Sequence, residues 1–425
     1  MEAVMIEHVR GRRVWDSRGR PTVEVEVHLA GGAVGRAIAP AGASTGTGEA
    51  LDLRDGGEAF AGFDVRRAVA NVCDLIAPAL QGRNALDQNL VDQTLIALDG
   101  TPDKSRVGGN AMIATSMAVL QAAARSRDLP LWRYLAGDTA VRIPLPEIQI
   151  FGGGAHAARR VDIQDFMVVC PTARSFSEAL DRTAEVYLAA GRLMRDRGQL
   201  QGVADEGGHW PAFQSNEEAL DMLVRAIEAA GFTPGDEVAI SLDVAASEFG
   251  RKGRYRLSLE ERELDRDGMI ELLGRWLEAY PIVSIEDPLA EDDPEGFRAF
   301  TEAYGAKTQV VGDDYLVTNA RRVQEAASTG ACTAVLIKPN QAGTITETKA
   351  ALDAGKAHGL GTIVSARSGE TEDVTIAHLA VGWNAGQLKV GSFARSERMA
   401  KWNEVLRIEE ELGAGARLAV PFRPG

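Results

Sequence analysis

Residues 333–341 read T-A-V-L-I-K-P-N-Q: four apolar residues, then Lys338, then a proline. A short apolar run ending in a charged residue recurs on both sides of it. Upstream are A-I-S-L-D-V-A with Asp243, Y-P-I-V-S-I-E-D-P with Glu286 and T-Q-V-V-G-D-D with Asp313. Downstream are L-G-T-I-V-S-A-R-S-G-E with Arg367 and G-Q-L-K-V-G-S with Lys389. The runs are rich in β-branched residues, as buried strands are. Successive charged residues are 43, 27, 25, 29 and 22 positions apart. About 25–30 residues is one strand plus one crossover helix. Helical stretches fall between them, at Ala320–Ser328, Thr346–His358 and Glu372–Val381. Repeated βα units with polar groups at the strand ends predict an α/β fold, a TIM-type parallel barrel with its active site on that rim. A doubly wound open sheet would carry a nucleotide loop after its first strand, and neither G-x-G-x-x-G nor G-x-x-x-x-G-K-[ST] is present.

Ahead of the barrel the texture differs. Residues 21–29, P-T-V-E-V-E-V-H-L, alternate apolar and polar, which predicts a strand with one buried face. From Val65 to Leu135 the pattern is helical, most clearly over Asn110–Arg125. Strands followed by helices predict a small α+β capping domain over 1–138 and a barrel over 139–425. Ser215-Asn216-Glu217-Glu218 is a capping-box start, and Gly231 ends the helix that follows.

Composition narrows the function classes. The chain has 425 residues, 46 Lys plus Arg and 61 Asp plus Glu, a net charge of −15. A field that acidic disfavours nucleic acid and anionic membranes as partners. The three cysteines, Cys73, Cys170 and Cys332, have no C-x-x-C spacing and read as buried thiols in a reducing, cytoplasmic compartment. No apolar run is long enough for a signal peptide or a membrane span. The 45 glycines follow no fixed period and are expected in turns and close backbone approaches.

Asp243, Glu286 and Asp313 converge if their strands are barrel neighbours. Alone, each would read as a helix cap or a surface charge. Three carboxylates on one rim repel unless a cation lies among them, and an all-oxygen set selects Mg²⁺ first. Zinc is disfavoured, because the histidines at 8, 28, 156, 209, 358 and 378 contain no H-x-x-x-H. Lys338, flanked by Val335-Leu336-Ile337, can be a desolvated base whose pKa burial and neighbouring cations lower; the alternative is a salt bridge to the carboxylates. Arg367-Ser368-Gly369 suits a phosphate, or else Arg367 pairs with a nearby acid. Glu206, between Asp205 and Gly207-Gly208, can help a hydroxyl leave, or is a turn acid.

The chain resembles the enolase family, the phosphopyruvate hydratases, along almost its whole length. The resemblance is carried by Asp16-Ser17-Arg18-Gly19, G-A-S-T-G at 42–46, S-I-E-D-P-L-A-E-D-D from 284, K-x-N-Q at 338–341, S-G-E-T-E-D at 368–373, G-Q-L-K-V-G-S at 386–392 and R-S-E-R at 395–398. It implies a ββαα(βα)₆ barrel under an N-terminal cap. It implies Mg²⁺ on Asp243, Glu286 and Asp313, and a second Mg²⁺ through the substrate phosphate and the mobile Ser44 loop. Lys338 would take the C2 proton of 2-phosphoglycerate and Glu206 assist loss of the C3 hydroxyl. Lys389 would hold the substrate carboxylate, and Arg367 with Ser368 the phosphate. Gln164 and His156 fall in pocket-lining segments. Family members are usually dimers, or octamers of dimers.

The departures from the family pattern cluster near the pocket. Ala366 replaces a histidine. Asp165 replaces a glutamate, a retreat of one methylene that would strain a proton relay. Ala157-Ala158-Arg159-Arg160 replaces a polar stretch, and His209-Trp210 follows Glu206-Gly207-Gly208. These changes point to an enzyme that keeps the C2 chemistry and alters C3, with Arg159, Arg160 or His209 guiding a second anion, as in the enolase-like carboxyphosphonoenolpyruvate synthases of phosphinate biosynthesis. The alternatives are an ordinary hydratase and a non-catalytic protein on the same fold.

Overall fold

A computed structural model describes residues 2–422. The chain opens with a three-stranded antiparallel sheet, β1 (Ile6–Trp15), β2 (Pro21–Leu29) and β3 (Val34–Ile38), with β2 in the centre. Val23, Val25, Val27 and Leu29 point into the core as the alternation predicts. The other face of β2 is not free, contrary to the sequence expectation: Thr22 and Glu24 are buried too. Thr22 donates to the Ala39 carbonyl at 2.6 Å, and Glu24 is paired with Arg12. Helix α1 (Gln88–Asp99) and helix α2 (Gly109–Arg125) follow. Helix α2 packs across β2 and β3. Its backbone comes so near Gly35 that a Cβ there would collide with it.

The second part is a closed barrel of eight strands: β4 (Leu145–Gly152), β5 (Asp165–Val169), β6 (Ala239–Asp243), β7 (Ile282–Glu286), β8 (Gln309–Gly312), β9 (Ala334–Ile337), β10 (Gly361–Ser365) and β11 (Gln387–Ser392). Neighbours pair in that order, and β11 closes on β4. Every pairing from β6 round to β4 is parallel, while β5 is antiparallel to both β4 and β6. Helices α3 (Phe176–Asp196) and α4 (Asn216–Ala229) follow β5. Helix α5 (Arg266–Ala279) then leads from β6 to β7. Helices α6 (Pro294–Tyr304), α7 (Ala320–Thr329), α8 (Ile345–Ala357), α9 (Thr375–Gly382) and α10 (Ser396–Leu412) follow the remaining strands. Barrel strands are buried on both faces, which is why they read as apolar runs rather than alternations.

The local signals act as chemistry dictates. Ser215 caps α4 by accepting from the Glu218 amide at 3.1 Å. Glu218 accepts from the Gln214 amide at 2.6 Å, one residue before the cap. The long step between Asp243 and Glu286 is filled by a small antiparallel sheet, Gly250–Arg251, Arg254–Leu257 and Arg262–Asp265, ahead of α5. Of the three cysteines, Cys170 and Cys332 are buried, but Cys73 is exposed. Among the described residues, no helix is long and apolar enough to cross a membrane.

Candidate active site

Barrel geometry sets the site. Asp243 and Glu286 are the last residues of β6 and β7, Asp313 and Lys338 directly follow β8 and β9, Arg367 lies two residues past β10, and Lys389 is inside β11. Because β5 is reversed, its first residue, Asp165, lies at the same rim, in register with Asp243. The loop from β4 to β5 therefore begins and ends there, and it delivers His156 and Gln164. Glu206 arrives on the turn between the short strands Leu200–Val203 and His209–Pro211. Ser44 reaches the rim from the N-terminal domain. All of these but Glu286 and Asp313 line one tight cavity of about 20 Å³, room for about one water.

Two lysines balance the rim acids. Lys389 donates to Asp243 Oδ2 and to Glu286 Oε2, both at 2.8 Å, and lies 3.6 Å from Asp165. Gln164 Nε2 donates to Asp243 Oδ2 at 3.0 Å. Lys338 donates to Asp313 Oδ2, and Gln341 Nε2 donates to Asp313 Oδ1 at 2.9 Å. Burial pulls the Lys338 ammonium down, but Asp313 outweighs it and holds the group above its ordinary value. The sequence expectation of a lowered Lys338 pKa is therefore reversed, and the salt-bridge alternative describes what is observed. Burial and the Asp243 carboxylate push Glu286 well above the usual carboxylate range.

The chemistry of Asp243, Glu286 and Asp313 suits a divalent cation, but among the described residues their oxygens do not gather within one coordination sphere; Asp313 groups instead with the buried Asp287 and Asp314. The donors are carboxylates, the choice of a hard ion. Glu286 Oε1 is buried with no hydrogen-bond partner, an acceptor left open. A cation would offset both the burial and the Asp243 charge that raise Glu286.

Opposite lies a relay. His156 Nδ1 is 3.1 Å from Asp165 Oδ1, and His156 Nε2 is 3.0 Å from Ser368 Oγ and 3.6 Å from Glu206 Oε1. Burial lowers the His156 pKa, yet Glu206 and Asp165 raise it further, to about 9. Burial would raise Asp165, but the His156 charge brings it down to about 2. The shorter side chain at 165 thus keeps hydrogen-bond reach to its histidine, and the expected break in the relay is not observed. Gln149 ties the relay to the Glu206 turn, donating to Asp165 and accepting from the Gly208 amide at 2.8 Å.

Three sequence-predicted residues lie elsewhere. Arg159 is largely exposed and paired with Glu248 at 3.0 Å, in a surface groove beside the small antiparallel sheet. Arg160 is exposed. Ala158 and Arg159 take left-handed φ of 50° and 56°, which turns the chain away from the cavity. His209 is buried, but it stacks on Tyr187 at 4.1 Å and its Nε2 is 2.9 Å from the Tyr187 carbonyl. Burial lowers its pKa, so it packs as a neutral ring. The cation gain expected near C3 is not in the cavity. Ala366 does line it.

Sequence reasoning missed Glu49. Its carboxylate is 2.9 Å from Arg367 Nη1 and 3.2 Å from Nη2. The signal available was its place three residues after Gly46, whose amide donates to Glu49 Oε1 at 2.9 Å. It also missed Arg398, fully buried, which donates to the carbonyls of Arg367 and Val390 at 2.7 and 2.9 Å and to that of Ser368.

Comparison with known families decides what this rim belongs to. Residues 6–135 match the model for the enolase N-terminal domain, and residues 140–420 that for the enolase C-terminal TIM barrel domain. The chain belongs to the enolase family. It is 50% identical over 420 residues to Enolase 1 of Desulfitobacterium hafniense strain Y51, covering 98% of this chain and 96% of the relative. The enolase-family assignment makes it an enzyme, a lyase by family, of a class that depends on Mg²⁺. The non-catalytic reading is set aside.

Proposed function

We propose that this chain is an ordinary phosphopyruvate hydratase, which removes water from 2-phosphoglycerate to give phosphoenolpyruvate. The observation that carries the reading is that Lys338, Lys389, Arg367, Ser368, Glu206 and His156 line one cavity, while Arg159, Arg160 and His209, which an altered C3 chemistry would need, do not. The likeness to Enolase 1 supports it too.

The residues divide the work. Arg367 and Ser368 hold the phosphate, and Lys389 holds the carboxylate. Mg²⁺ on Asp243, Glu286 and Asp313, with a second ion near Ser44, would supply charge stabilisation for the enolate dianion. Asp313 holds Lys338 charged; were Asp313 engaged by Mg²⁺, Arg367 and Lys389 would both favour the free amine of Lys338. Lys338 removes the C2 proton, and the electron pair moves onto the carboxylate. As it returns to form the C2–C3 double bond, the C3 hydroxyl leaves with a proton from Glu206 as water. Protonated His156, held by Asp165, supplies that proton to the Glu206 carboxylate before the hydroxyl leaves, and regains one from solvent afterwards.

The test is direct. Purified protein with Mg²⁺ and 2-phosphoglycerate is followed by the ultraviolet absorbance of phosphoenolpyruvate. Turnover that a chelator abolishes is expected. One observation favours a second reading: Ala366 leaves only a methyl where the family pattern has an imidazole. No turnover of 2-phosphoglycerate, with a new phosphorus species appearing on addition of phosphonoformate, would overturn the hydratase reading in favour of the altered C3 chemistry.

A further inference from the structure

The phosphate anchor is already occupied by an acid from the chain itself. Arg367 is 4% exposed. Its Nη1 donates to Glu49 Oε2 at 2.9 Å and to Asn340 Oδ1 at 3.0 Å, and its Nη2 donates to the Ser44 carbonyl at 2.9 Å and to Glu49 Oε1 at 3.2 Å. This is the two-pronged match of guanidinium to carboxylate that a phosphate would also make. The Glu49 side chain is only 8% exposed. Its Oε1 also accepts from the Gly46 amide at 2.9 Å and from Gln341 Nε2 at 3.3 Å.

Glu49 and Ser44, which the family resemblance places on a mobile loop, the lid, are on one piece of chain. Ser44, Gly46 and Glu49 lie in the 42–49 segment, and a Cβ on Gly42 would run into the Arg367 guanidinium. The outer side of the segment is tied down separately. The Thr47 amide and hydroxyl both donate to Glu291 at 2.7 Å, and Arg322 Nη2 donates to the Thr47 carbonyl at 2.9 Å.

We infer that Glu49 is a built-in phosphate surrogate: a positioning and specificity-determining residue that holds Arg367 and the lid in place until a dianion displaces it. The inference rests on the phosphate role given to Arg367 above. Two anions cannot both keep the same fork in a buried site, since their repulsion is little screened there. A monoanion offers Arg367 no more charge than Glu49 already does, so it gains little by exchange. A phosphate dianion offers twice the charge and wins. Displacement also frees the Gly46 amide, so capture of the phosphate is coupled to rearrangement of the lid. Glu49 therefore weakens phosphate binding in exchange for discrimination between dianions and monoanions.

The experiment is calorimetric titration of the full-length protein with inorganic phosphate and with nitrate, which requires no turnover. Glu49→Gln keeps the shape and one acceptor and removes the charge. Phosphate is expected to bind it about tenfold more tightly than wild type, with nitrate gaining at least as much. Glu49→Asp, which keeps the charge, should return to within about threefold of wild type. Arg367→Gln should abolish phosphate binding. In steady-state assays of Glu49→Gln, KM for 2-phosphoglycerate falls while kcat also falls, because the lid has lost its latch. Equal or weaker phosphate binding by Glu49→Gln with an unchanged thermal melt would overturn the inference, as would phosphate binding that survives Arg367→Gln. A wild type that binds phosphate in this way but converts no 2-phosphoglycerate would defeat the proposed function and leave the Glu49 inference standing.

Discussion

His156 Nδ1 lies 3.1 Å from Asp165 Oδ1, both side chains buried; His156 holds Asp165 charged, and Glu206 and then Asp165 hold His156 charged. His156 is raised from 6.5 to about 9, so the stability it contributes is fully present below about pH 6.5 and fades as pH rises through 9. Asp165 is lowered to about 2, so its own contribution is present above about pH 4 and is lost only as pH falls through 2. Between neutrality and pH 9 the histidine contributes to the slope and Asp165 does not. Asp165→Asn should flatten the decline of Tm with pH across that window, a difference of order 2 kcal/mol at neutral pH. Melting curves from pH 6 to 9.5 check it; parallel curves for the two proteins would place the histidine charge elsewhere.

Lys338→Met removes the proposed base and leaves Asp313 buried beside Gln341 alone. We expect kcat to fall by about 10³-fold and deuterium exchange at C2 of 2-phosphoglycerate to cease. Without its lysine, Asp313 should bind a cation more readily, so added Mg²⁺ should raise the Tm of the variant more than that of wild type. Residual C2 exchange at wild-type rate would assign the base to another residue.

Arg159→Asn with Arg160→Asn should leave kcat and KM within about twofold, because both side chains point to solvent. The loss of one exposed ion pair to Glu248 costs at most about 1 kcal/mol. His209→Ala should behave oppositely in stability, losing about 2 kcal/mol for a buried ring stacked on Tyr187. Chemical denaturation paired with steady-state kinetics separates the two cases. A large rise in KM for the double arginine variant would return those residues to the pocket.

Arg398→Met strips three backbone carbonyls, those of Arg367, Ser368 and Val390, of a buried donor. About 3 kcal/mol of stability should go with it. The carbonyls hold the segment that carries the phosphate anchor, so KM should rise in whatever protein remains folded. Denaturant midpoints and KM measured together test this, and a rise in neither would make the contact incidental.

Much of this was legible in the sequence because a parallel strand writes itself simply. An apolar run such as Ala334–Ile337 must be buried on both faces, and the charged residue that ends it must surface at the rim. That logic located Asp243, Glu286, Asp313, Lys338, Arg367 and Lys389. It fails in loops, where side-chain direction depends on single backbone torsions. Two successive left-handed residues aim Arg159 at Glu248, and nothing in the letters A-A-R-R announces that. His209 was misread because the short strand it occupies turns it onto Tyr187. Glu49 was invisible for another reason: its partner lies 318 positions away, and no periodicity links them.

The reversal of β5 has a consequence of its own. In an all-parallel barrel each strand lends the working rim one tip, and the next connection leaves for the far end. Here two adjacent strands meet the rim with a hairpin, so residues 153–164 form an insert whose ends are held together by the Gly152–Asp165 pairing, 13 positions apart in sequence. Such an insert is a module. It carries both His156 and the Ala157–Arg160 stretch in which this chain departs from its family, and it is fastened to the rest of the barrel through Asp162, which bonds Asn216 and the Ser258 amide. Chimeras swapped at Gly152 and Asp165 would transplant that whole difference in one step.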